Sequence, residues 1–330
     1  MSGASFTRIL SVVVTATVVF AGGLTGAWAA EAPPETGIDL TEVGDVAHFA
    51  QQVAPPSTGE LSAVTREGST LVAATGEGVV TLPLDPDVGA VRIGSESDWR
   101  ALEVTLPPEV DTAIGAVAGN GLTVYPAETR DDAALTVESF TDGSVRIQAQ
   151  IPSADAAHEF TYGLSVPAGG RLTVDAEGAA AVLDAEGRYL AGANRPWARD
   201  AAGSEVDTRY EVRGDALVQI VEPGPHAAYP IAADPWFGLW LVNSVTAVRV
   251  AQGVVYQVNP TLFGRAAQQY QYGTVFGDAV RKGLPPLKKF YDQLICHPAS
   301  GIARVKGTWN IDSWRPDVGW WRTILTGCNP

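Results

Sequence analysis

Several residue types are scarce in this chain, and each scarcity excludes something. Its 330 residues include two cysteines and four histidines, and none of the first 235 residues is a lysine. Two cysteines cannot build a four-thiolate site, and His48, His158, His226 and His297 lie far apart, so the sequence supports no metal cluster. Gly119-Asn120-Gly121 is followed by neither a lysine nor a helix, so it reads as a turn and not as a phosphate loop. Arg213-Gly214-Asp215 likewise reads as a tight turn between two strands. Beyond the start of the chain no apolar run is long enough to span a bilayer, since Trp236 to Val242 is broken by Asn243 and Ser244. No serine, thiol or second histidine completes a nucleophilic set around His297, and no cofactor is expected.

What is present is unevenly distributed. Trp236 to Pro330 holds ten Lys+Arg and four Asp+Glu, a net charge of +6. The 235 residues before it hold twelve Arg and 33 acids, a net charge of −21. The tail also contains both cysteines, all four lysines and six of the nine tryptophans. Opposite charges on one chain attract over about 8–10 Å at physiological salt, so the acidic body is expected to contact the basic tail. The acidity of the body disfavours nucleic acid as a partner.

The first residues read as an export signal. One positive charge precedes the run Ile9 to Phe20, and Ala27-Trp28-Ala29 places small residues where a signal peptidase reads, so 1–29 is expected to be a signal peptide. The run is short for a membrane anchor, and no cysteine near the cleavage site suggests a lipoprotein. The expected location is secreted or extracellular, with cell-wall association in view. There the two cysteines are expected to pair, Cys296 with Cys328.

Residues 30–60 are rich in Pro and Glu and read as a spacer, in which Val43, Val46, Ala50 and Val53 recur at the spacing of a short helix. Residues 61–235 alternate short Val/Thr/Leu-rich runs with turn residues, Asp142-Gly143 being a strong hairpin signal, and predict an acidic, sandwich-like all-β module. Residues 236–330 predict a small disulfide-linked α+β domain. Its elements are a hairpin around Gly253, a helix start at Asn259-Pro260, a helix from Pro286 into Cys296 that is stopped by Pro298, a strand over Ile302 to Asn310, and a last helix opened by Pro316-Asp317 that carries Val318, Trp321 and Leu325. The fold class expected is therefore multidomain.

Two resemblances accompany this reading. Pro196-Trp197-Ala198, Asp200, Gly203, Tyr210-Glu211-Val212, Gly214, Val218, Val221, Tyr229-Pro230 and Ala233-Asp234-Pro235 make residues 158–235 similar to an accessory β module of exported proteins of high-GC Gram-positive bacteria. Cys296-His297, the run Trp309 to Gly319 and Cys328-Asn329-Pro330 make the tail resemble an actinobacterial family of secreted domains of unknown function, numbered 2599. The second resemblance implies a fold unit and an address outside the cell, with no activity attached.

The tail also holds the candidate chemistry. His297 with Asp292 or Asp312 could form an acid–base pair, the alternative being an imidazolium that caps its helix. Trp309, Trp314 and Arg315 would form a stacking and cation–π surface if exposed and the domain core if buried; burial is the commoner state of tryptophan in a small domain. Lys288 and Lys289, with Arg281 and Lys282, form a basic cluster that could meet an anionic wall polymer, or else a solvated helix face. The expected function is a non-enzymatic recognition module for an anionic wall polymer or glycan. A secreted hydrolase or toxin-like effector and a structural envelope protein are the alternatives.

The bridge is the most directly testable of these expectations. The native protein should show no reactive thiol, and reduction should cost about 3–4 kcal/mol, the value for closing a loop of roughly 30 residues. Two titratable thiols in the native chain would refute the pairing.

Overall fold

Strand formation follows the alternation of apolar residues between turns. In Thr70–Thr75 and Gly78–Pro83, Leu71, Ala73, Val80 and Leu82 point inward while their neighbours face outward. The turn between Ala134–Ser139 and Val145–Ile151 is built by Asp142, whose Oδ1 accepts from the Ser144 backbone N–H and hydroxyl, and by Gly143 at φ +79°. A computed structural model describes residues 37–55, 59–94, 100–119, 121–301 and 306–330. The expected signal peptide and the first spacer residues, 30–36, lie outside them.

The fold is mostly β. Five strands between Val64 and Thr105 form an antiparallel meander in sequence order. A ten-stranded sheet runs from Ala116–Val117 through the central pair Ala134–Ser139 and Val145–Ile151 to Trp236–Gly238 and beyond. A smaller sheet places Ala216–Glu222 between Glu159–Gly163 and Asp207–Arg213. These three sheets share one core, to which they contribute Leu82, Val104, Val137, Ile147, Phe160, Leu217 and Phe237. Asp234 is enclosed beside this core, where burial pushes its carboxyl up to about 8.

The other face of the ten-stranded sheet is covered by helix α1 (Val43–Val53), within the segment read as a spacer. Val46 and Ala50 pack on Leu122, Val124 and Ala134, and Phe49 and Val53 on Ala232. Gln150 donates to the Val46 carbonyl at 3.0 Å, which secures the helix to the sheet.

In the tail, Val242–Val250 and Gly253–Pro260 form a hairpin, and Trp309–Asp312 joins its second strand. Four helices accompany this sheet among the described residues: α2 (Leu262–Ala266), α3 (Tyr272–Arg281), α4 (Lys288–Ala299) and α5 (Trp320–Leu325). Cys296 and Cys328 are bonded, linking the last turns of α4 to the residues after α5.

Several local expectations differ from this arrangement. Pro260 is the last residue of its strand, and the helix starts two residues later, at Leu262, because Thr261 caps it, its hydroxyl accepting from the Gly264 N–H. Pro298 lies inside the final turn of α4 and does not stop it. The third tail strand begins at Trp309; residues 302–305 of the expected strand lie outside the described residues. α5 begins at Trp320, past the expected opening at Pro316-Asp317. Its adjacent tryptophans face different ways: Trp320 packs with Ile324 on the disulfide, while Trp321 and Leu325 are 76% and 82% exposed.

The boundary in composition at residue 235 falls within a hydrophobic cluster. Phe140, Leu183, Tyr189 and Trp236 pack there with Leu241, Phe263, Phe290 and Trp309. Backbones approach closely at this seam: a Cβ on Gly264 would lie 1.9 Å from the Leu241 carbonyl oxygen. Asp278 of α3 is fully buried; it accepts the Leu241 N–H at 2.9 Å and pairs with buried Arg100 at 2.7 Å. Arg100 and Arg281 lie 4.9 and 4.6 Å from the Trp240 ring centroid, and Lys282 pairs with Glu77. Glu35–Pro330 forms one compact unit.

Removing one partner of a buried ion pair strands the other. Asp278→Ala should cost about 3–5 kcal/mol in denaturant unfolding. Glu77→Ala at the more open pair should cost about 1 kcal/mol or less. Equal losses would show that the buried pair does not dominate the seam.

Candidate functional site

α4 places Lys288, Lys289, Asp292, Gln293, Cys296 and His297 within three turns, and the residues singled out from the sequence gather around it. Gln293 is central. Its side chain accepts the Asp312 N–H at 3.0 Å, and its carbonyl lies 2.9 Å from His297 Nδ1. The His297 ring stacks on Trp309 with centroids 5.6 Å apart, and Trp309 is fully buried. Burial lowers the His297 pKa from 6.5 to about 4, so the ring is neutral at physiological pH and is not a charged helix cap.

The carboxylates face other partners. Asp292 pairs with Lys288 at 2.5 Å, and Asp312 Oδ2 accepts from Arg315 Nε at 2.8 Å. Arg315 also donates to the Pro330 carbonyl at 3.1 Å. Lys289 donates to the carbonyl of Ser313 at 2.7 Å, which holds the turn that bears Trp314. The candidate residues are thus brought together, and all but Trp314 have an intramolecular partner or are buried. Trp309 presents no surface for stacking, and Trp314 is 39% exposed. The arrangement locks the tail and leaves no open acid–base pair among the described residues.

A different place in the fold is open. A cleft of about 690 Å³ lies where body and tail meet. Glu60, Glu77 and Asp142 line it from the body; Asn243, Asn259 and Arg265 line it from the tail. Trp236 forms part of its wall and donates from Nε1 to Ser144 Oγ, which in turn donates to Asp142. Glu77 is paired with Lys282, and Arg265 donates to the carbonyls of Lys306 and Gly307. The cleft has a mixed polar and apolar lining, its carboxylates outnumber its cations, and among the described residues no group of His, Cys, Asp and Glu could hold a metal ion.

None of these lining residues was a sequence candidate. Asn243 stood out only as the break in an apolar run and Asn259 only as a helix-start residue. The available signal was a polar residue inside an apolar strand, which marks either a strand end or a side chain aimed at something.

Stability should report the state of His297. A base whose folded pKa lies below its unfolded value contributes stability that is complete above the unfolded value and declines as pH falls. Unfolding free energy should therefore drop between about pH 6.5 and 4, and His297→Gln should flatten that drop. An unchanged profile in the variant would refute the assignment.

No curated protein matches the chain. Residues 242–330, which include the strands, helices and disulfide of the tail, match the family described as protein of unknown function (DUF2599).

Proposed function

We propose that this chain is an exported, envelope-associated recognition protein whose ligand occupies the cleft between body and tail. The observation that carries this reading is the cleft itself, a volume of about 690 Å³ walled by both parts of the chain. Export is supported by the signal-like first 29 residues, by the Cys296–Cys328 bond, and by the absence among the described residues of any helix long and apolar enough to cross a membrane.

The basic cluster argues against an anionic polymer as the ligand. Lys282 pairs with Glu77, Lys288 with Asp292, Lys289 holds the 313–315 turn, and Arg281 lies against Trp240. Charges engaged in this way lose part of their attraction for a phosphate chain. Of the two ligands expected from sequence, a glycan fits the cleft better. A hydrolase reading draws on the same cleft, because three carboxylates line it. Two of these are engaged, Glu77 by Lys282 and Asp142 by Ser144, which favours binding over turnover.

Filling the cleft tests the proposal. Thr141 is exposed on its rim, so Thr141→Trp adds bulk without disturbing the core. The parent protein should sediment with purified cell-wall material. The variant should melt like the parent and lose about tenfold or more in binding. Equal binding by parent and variant would sink the cleft as the site, and release of soluble sugars by the parent would favour the hydrolase.

A further inference from the structure

We infer that the first tail strand, Val242–Val250, is a pairing edge for a second copy of this chain, the two strands running antiparallel about Ala247. The strand lies at the edge of the tail sheet, hydrogen-bonded to Gly253–Pro260 on one side and to no strand on the other. The ladder shows which of its residues are left open. Val254 faces the third tail strand, since its carbonyl accepts the Ser313 N–H at 2.9 Å. Backbone groups alternate sides along a strand, so Val255, Gln257 and Asn259 face the first strand instead. Their partners there are Val248, Thr246 and Ser244. The N–H and C=O groups of Val245, Ala247 and Arg249 therefore point away from the sheet, and nothing among the described residues bonds to them. Every residue from Thr246 to Val250 is exposed.

Other sheet edges of the molecule are guarded. Val64–Glu67 is four residues long and ends in Arg66 and Glu67. Asp207–Arg213 is charged at four of its seven positions, and its Arg209 and Arg213 are held by Glu222 and Glu159. Trp309–Asp312, the opposite edge of the tail sheet, has four residues, and its Asp312 N–H is taken by Gln293 of α4. Short, charged or covered edges are how sheets avoid joining one another. Val242–Val250 has none of these devices along its open stretch. It is nine residues long, without proline, lysine or acid, and Arg249 is its one charge. Val245, Thr246, Val248 and Val250 are β-branched and suit an extended strand.

The edge fits its own copy. The open residues are symmetric about Ala247, so a two-fold axis there sets Ala247 against its counterpart and Val245 against Arg249 of the second copy, and each open N–H meets an open C=O. On the solvent face Thr246 then lies opposite Val248, and Ser244 opposite Val250. Thr246 with Val248 is a β-branched pair of the kind that stabilises neighbouring strands. Val248 and Val250, 37% and 39% exposed, gain neighbours in this arrangement. Charge is also compatible. Each Arg249 faces a valine, and the two arginines stand about 13 Å or more apart along the strands, beyond the ~8 Å over which charges act at physiological salt. The result is one continuous sheet with three strands from each copy.

The test uses the full chain with its disulfide intact. Sedimentation velocity across the micromolar range should show a monomer–dimer equilibrium. Ala247→Pro removes an N–H that bonds nothing within the chain, so the variant should melt like the parent when both are dilute and should dimerise about tenfold or more weakly. Ala247→Lys and Ala247→Glu each place like charges on the two-fold axis, so either protein alone should be monomeric. Mixed together, the two should form a heterodimer, because in this register position 247 meets its counterpart. A parent that stays monomeric throughout the range overturns the inference. So does a dimer that Ala247→Pro leaves intact, and so do Ala247→Lys and Ala247→Glu proteins that associate no better mixed than apart.

Discussion

The structure depends on one buried charge at the seam. Asp278 has no access to water, and its cost is offset only because Arg100 reaches it from the body and the Leu241 N–H from the tail. That requirement fixes the position of α3 against the five-stranded meander. It also fixes Trp240, which lies near both Arg100 and Arg281. An apolar seam could slide by a side chain, whereas a buried ion pair has one geometry. The cleft inherits that definition, because its two walls come from the two parts that the pair registers.

The tail shows the same economy around α4. Gln293, Asp312, Arg315 and Lys289 connect α4, the third tail strand and the turn after it through hydrogen bonds, and the disulfide adds α5. A short segment gains rigidity this way. The residues that looked like chemistry are those that hold the tail together. The neutral, stacked His297 illustrates the exchange, since a histidine sealed against Trp309 and a helix carbonyl is removed from proton transfer near neutral pH.

Legibility followed locality. Alternation and turn residues such as Asp142-Gly143 revealed about half of the strands, and α4 was visible from its apolar spacing. The pairing of Cys296 with Cys328 followed because no other pairing exists. α3 was not visible, since Gly273 and Gly277 dilute its pattern and a buried residue of its inner face is the charged Asp278. The inner face of α5 was not legible, because Trp321 and Leu325 look like core and yet face outward, while Thr323 is buried. The cleft was invisible for a different reason. Its lining is drawn from positions between Gly59 and Gly307, and no window of sequence holds enough of it to form a motif. Asn243 betrayed itself only as an interruption.

The spacing of the seam contacts has a kinetic consequence. The Lys282–Glu77 pair joins residues 205 positions apart, and such distant contacts form late because closing a long loop must precede any gain from them. The body is made before the tail, and its strands can assemble before Asp278 exists. For an interval the body presents Arg100 and Phe140 without their partners from the tail. The tail then settles on a surface already shaped to receive it, and the cleft appears only with that last step, so ligand binding would report that the whole chain has finished folding.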